Sequence, residues 1–114
     1  MAHILVVAPN ADFQRSLRFA LEAEGHTVTS VAGLHDPAGF PDDTDCTILD
    51  HHAAQGHLPA AAAFVEAYAP VILLANTATH PLAAHSFSTV TKPFLGPYLS
   101  KAVASAIRSH HTPR

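Results

Sequence analysis

Three runs of aliphatic residues decide what this chain can fold into: "HILVVA" (3–8), "DCTILD" (45–50) and "PVILLA" (70–75). None alternates apolar with polar, as a strand with one wet face would. Each is a continuous stretch of strand length, the pattern of strands buried on both faces in a parallel sheet. Two further strand patterns, "HTVTSVA" (26–32) and "FSTVT" (87–91), bring the number to five.

The segments between them read as helices of unequal strength. After Asn10, which can cap, Phe13, Leu17, Ala20 and Leu21 recur at helical spacing, Asp12 sits in the first turn and Gly25 is a stop. Pro59 to Tyr68 is Ala-rich, with Ala60, Phe64, Ala67 and Tyr68 on one face. The last helix carries a stripe of Leu95, Leu99, Ala102, Val103, Ala106 and Ile107, with Pro97 near its start. Residues 33–43 hold two Gly and two Pro, and residues 76–86 are interrupted by Pro81, so each supports one helical turn at most. "HHAAQGH" (51–57) reads as the loop after the third strand, and "SHHTPR" (109–114) as a frayed tail. Strands alternating with helices predict one α/β domain over residues 1–110, a doubly wound parallel sheet with right-handed crossovers, and a tail or linker start at 111–114. Val6, Ile48, Leu49, Ile72, Leu73, Leu17, Leu21, Leu99 and Val103 are expected to form one core. The weak helices should leave Val90, Leu82 or Phe87 open to a partner.

Composition removes several classes of function. Only 13% of the residues are charged and 48% are apolar, which excludes a disordered chain. The apolar runs fall far short of the ~20 residues that span a bilayer, so no membrane role is expected. Cys46 is the one cysteine and cannot form an internal disulfide; without a charged-then-apolar leader, the expected address is the cytoplasm. The formal charge is −3 with scattered Lys and Arg, so this domain offers nucleic acid no basic stripe.

In an open parallel sheet, ligands sit beyond the carboxyl ends of the strands. The residues there are Ala8 to Asn10, Asp50 to His52, Ala75 to Thr77, and Lys92 with Pro93. "ILVV" leading into a helix, "TILD" ending in Asp50, "PVILLA", and "VTKPF" with Lys92, Pro93 and Phe94 together resemble the receiver domain of bacterial two-component response regulators, over essentially the whole chain. The resemblance implies a flavodoxin-like sheet of order 2-1-3-4-5, here with reduced second and fourth helices. It makes Asp50 the equivalent of the phosphoacceptor and Lys92 of the lysine that pairs with the phosphoryl group. Pro93 follows in a peptide that is often cis. The family's two Mg²⁺-binding acids fall on Ala8 and Pro9, its switch hydroxyl on Ala75 and its aromatic switch on Thr89.

Neither Ala8 nor Pro9 can ligate a cation, so the expectation is a degenerate receiver: no catalytic residue, no enzyme activity and no cofactor. It would act as an interaction module toward a histidine kinase, an output domain or a second copy of itself. Two alternatives stay open. One is a conventional receiver, phosphorylated on Asp50 with Mg²⁺ and regulating an output such as transcription, its metal site rebuilt from Asp12 or His. The other is a small metal-binding domain using Asp50, His52 and Asp12. Against the latter, strand alternation past Asp50 would send His51 and His52 to opposite sides, and no "HExxH" or "CxxC" is present. No glycine-rich phosphate loop follows the first strand, which demotes a nucleotide site. The plainest reading makes Asp50 a strand-end cap with Lys92 as ion-pair partner, Asp12 a helix-dipole residue and Cys46 a small buried hydrophobe.

Overall fold

The computed structural model describes residues 2–33, 44–54, 70–75, 86, 88–91 and 96–111. Five strands, β1 (His3–Val7), β2 (Thr27–Val31), β3 (Cys46–Asp50), β4 (Val71–Ala75) and β5 (Ser88–Thr91), form one parallel sheet in the order β2-β1-β3-β4-β5. Each lies within a residue of its sequence pattern. The described helices are α1 (Ala11–Ala23), α2 (His51–Ala54) and α3 (Gly96–His111). None is long and apolar enough to cross a membrane.

The aliphatic runs behave as their lack of alternation requires: every residue of β3 and β4 is buried. One face of the sheet presents Ile4, Val6, Ile48, Ile72, Leu74 and Val90, with Ala8 just past the end of β1, to Leu17 and Leu21 of α1 and to Leu99, Val103 and Ala106 of α3. Leu5, Val7, Leu49 and Leu73 are equally buried but stand outside this cluster, because successive side chains of a strand point to opposite faces. The single expected core is thus two layers, with Leu49 and Leu73 on the second.

Local chemistry fixes the ends of α1. Asn10 is extended and its side-chain oxygen accepts the Phe13 N–H at 2.9 Å, satisfying one of the orphan donors of the first turn. At the other end Gly25 takes φ 93°, its N–H donates to the Glu22 carbonyl and the His26 N–H donates to that of Leu21. That left-handed step lets the chain turn at once into β2. Asp45 aligns β3 with β1: its carboxylate accepts the His3 N–H at 2.9 Å and its own N–H donates to the His3 carbonyl at 2.8 Å.

Four expectations change. Val90 is buried, since its register partner is Leu74 and both enter the core beneath α3, so it is not available to a partner. Ala20 is exposed, because Leu17 and Leu21 fill the space under α1 with Phe13 half-buried beside them. "HHAAQGH" begins as the helical turn α2 rather than as loop. The last helix runs on through His111, as no residue before Thr112 and Pro113 breaks it. Leu82, Phe87, the reduced helices over 34–43 and 76–85 and the helix over 59–68 lie outside the described residues.

Two positions of α1 test this packing. Leu17 is fully buried and Phe19 is 78% exposed. Leu17→Ala should cost about 2–5 kcal/mol of unfolding free energy and Phe19→Ala no more than about 0.5 kcal/mol, measured by urea denaturation.

Candidate functional site

The parallel register lines up the carboxyl ends of the strands. Val31 pairs with Val7, Val7 with Leu49, Asp50 with Leu74 and Ala75 with Thr91, so Ala8 stands level with Asp50. Among the described residues Asp50 and Thr47 are the buried polar ones of this sheet, and Asp50 is 3% exposed. Its Oδ1 accepts the His52 backbone N–H at 3.0 Å and lies 3.2 Å from His52 Nδ1. The first of these contacts is the N-cap bond that starts α2, which is why the histidines coil instead of extending the strand.

That coil corrects the expected splaying of His51 and His52. Their rings lie with centroids 4.1 Å apart and planes tilted by 40°. One ligand atom from each of Asp50, His51 and His52 falls within 4.8 Å of the others. Asp12 is not among them: it is 89% exposed on α1 and pairs with Arg15 at 3.4 Å, the helix-dipole role. The metal set considered from sequence, Asp50, His52 and Asp12, therefore keeps two members and exchanges the third for His51.

Across from Asp50 the end of β1 is closed by a residue that sequence reasoning passed over. Gln14, one turn into α1, donates its side-chain amide to the carbonyl of Ala8 and, at 3.1 Å, to that of Val31. The Val31 carbonyl also accepts the Ala8 N–H at 3.0 Å, so both of its lone pairs are engaged. Strand-end carbonyls must find donors, and Ala8 and Pro9 supply no side chain that could. A half-buried polar residue in the first turn of the following helix, directly after Phe13, was the available signal.

A hard cation such as Mg²⁺ needs about six oxygens near 2.0–2.1 Å. Around β1 the described residues offer the methyl of Ala8, fully buried in the core, the exposed ring of Pro9, and two carbonyls that face an amide donor. These residues do not fit the ion. Ala75 is also fully buried and without a hydroxyl, while Thr89 is half-buried in β5 beside Leu73. Lys92 and Pro93 lie outside the described residues.

No family model matches the chain, and no curated protein matches it in sequence. Solved structures do. A response regulator receiver domain protein from Clostridium thermocellum superposes with a TM-score of 0.78 at 20% identity, over 96% of each chain. The chain has the receiver-domain fold. The signal receiver domain of a histidine kinase from Syntrophus aciditrophicus gives 0.82 at 18% identity, covering all of this chain and 96% of that one. The receiver domain of a sensor histidine kinase from Pseudomonas aeruginosa, with a magnesium ion coordinated in its active-site cleft, gives 0.73 at 20% identity over 93% and 97%. The sheet order expected from the resemblance is the one observed.

Cys46 is no nucleophile. It is buried in β3, and burial, aided by the neighbouring Asp45 carboxylate, pushes its thiol from 9.0 up to about 12. Between these values the native thiol keeps its proton and the unfolded one loses it, so the unfolded chain binds fewer protons and stability falls as pH rises. The expected loss is about 1.4 kcal/mol per pH unit in that window. Cys46→Ala should lack this component when urea midpoints are compared at about pH 8 and pH 10.5.

Proposed function

We propose that this chain is an atypical receiver domain, a signalling module that works by binding other signalling proteins and whose output is not gated by Mg²⁺-dependent phosphorylation of Asp50. The observation that carries this reading is the closed end of β1: Ala8 lies in the core, and the carbonyls of Ala8 and Val31 accept the Gln14 amide. Transfer of a phosphoryl group to a carboxylate brings anion against anion, and its catalysis rests on cations that clamp the transferring oxygens. At 4 Å a unit charge pair is worth roughly 4 kcal/mol at an effective dielectric near 20, so one lysine does not replace a divalent ion.

In this reading Asp50 is the acceptor's counterpart, serving as the cap of α2, and Lys92 is the counterpart of the phosphoryl-pairing lysine. The partner is a histidine kinase or an output domain. The net charge of −3 argues against nucleic acid as its direct target. The module is not an enzyme and holds no resident Mg²⁺.

Incubating the protein with a small phosphodonor and Mg²⁺, then weighing the intact chain, tests the reading. The expected outcome is no phosphoryl increment over hours, with or without Mg²⁺. Rapid Mg²⁺-dependent labelling that Asp50→Asn abolishes would overturn it in favour of the conventional receiver.

A further inference from the structure

Where the chain is unsuited to a hard cation, it groups donors of a different kind. We propose that Asp50, His51 and His52 form a binding site for a divalent transition-metal ion of the Zn²⁺ class, built from three consecutive residues at the turn from β3 into α2. The inference goes beyond the signalling role and holds whether or not Asp50 ever accepts a phosphoryl group.

Two imidazoles and one carboxylate are a donor set for Zn²⁺, Ni²⁺ or Cu²⁺, whereas Mg²⁺ and Ca²⁺ prefer oxygen alone. The geometry agrees with the chemistry. Bonds of 2.0–2.1 Å in a tetrahedral site set neighbouring ligand atoms about 3.3 Å apart. Asp50 Oδ1 and His52 Nδ1 are 3.2 Å apart, already one edge of that tetrahedron. The ligand atoms of all three residues lie within 4.8 Å of one another, so the remaining edges close by about 1.5 Å at most. A modest side-chain rotation of His51, which is half-buried at the start of a four-residue helix, supplies that movement.

Binding requires the His52 tautomer that leaves Nδ1 as an acceptor; the cation then takes the place between Nδ1 and Oδ1 that a proton bridges in its absence. The backbone N–H of His52 donates to the same Oδ1 at 3.0 Å and so fixes the position of that oxygen. The His52 side chain is 49% exposed, so the site opens to solvent and its fourth position is available to water or to a donor from a partner. A bound ion would occupy the Asp50 carboxylate.

The test must separate this site from the other histidines, for the chain carries ten. Titrating the intact protein with Zn²⁺, and separately with Mg²⁺, while following ¹⁵N signals of residues 50–52 and of the histidine rings requires no variant. Saturable, stoichiometric shifts centred on residues 50–52 with Zn²⁺, and none with Mg²⁺, are expected. By calorimetry His52→Gln and Asp50→Asn should each weaken that site at least tenfold. Residues 50–52 that do not move when Zn²⁺ is added, or folded variants that bind Zn²⁺ as the native chain does, would overturn the proposal. Labelling of Asp50 by a phosphodonor would count against the signalling reading alone.

Discussion

Burial of the central strands on both faces is the constraint from which the rest of this molecule follows. β1, β3 and β4 are buried on both faces, so their side chains are apolar along nearly their whole length, with Thr47 the exception inside β3. Polar chemistry is displaced to the strand ends, where the chain leaves the sheet. Asp50 is where that happens in β3. As the last residue of the strand it remains almost fully buried, yet it can reach the first backbone donors of the turn that follows. A carboxylate one position earlier would sit in Leu49's place within the second apolar layer, at a cost no cap could offset.

Most of the fold was legible in the sequence because the signals involved are strong and local. Continuous aliphatic runs gave the strands, and Asn10, Gly25 and the Leu17/Leu21 spacing gave the first helix with its cap and stop. The division of the core into two layers was implicit in the two-residue period of strands, but apolar type alone does not say which layer a residue joins. Val90 was misjudged for a related reason. Its burial depends on its register against Leu74 and on α3 above it, and neither is visible in the five residues of "FSTVT".

The site was legible in outline and not in detail. The strand-end rule picked out Ala8 and Asp50, and register sets them level with each other. It did not foresee that the Asp50 side chain would start a helical turn and so bring His51 and His52 together, because extending the strand pattern by two residues gives the opposite arrangement. Gln14 escaped notice as an unremarkable polar residue in an amphipathic helix. Its meaning comes from two carbonyls, one of them in a strand that follows the helix.

Gln14 and Ala8 also bear on how such a chain could change over evolutionary time. Placing an acid at residue 8 alone would press a carboxylate into the core, beside a carbonyl already committed to the Gln14 amide. Removing Gln14 alone would leave that carbonyl short of a donor, with no ligand gained. The two positions share the Ala8 carbonyl, so the effects of substituting them should not add. Residues 8 and 14 therefore constrain each other across the turn from β1 into α1, and what either position tolerates is set by the other.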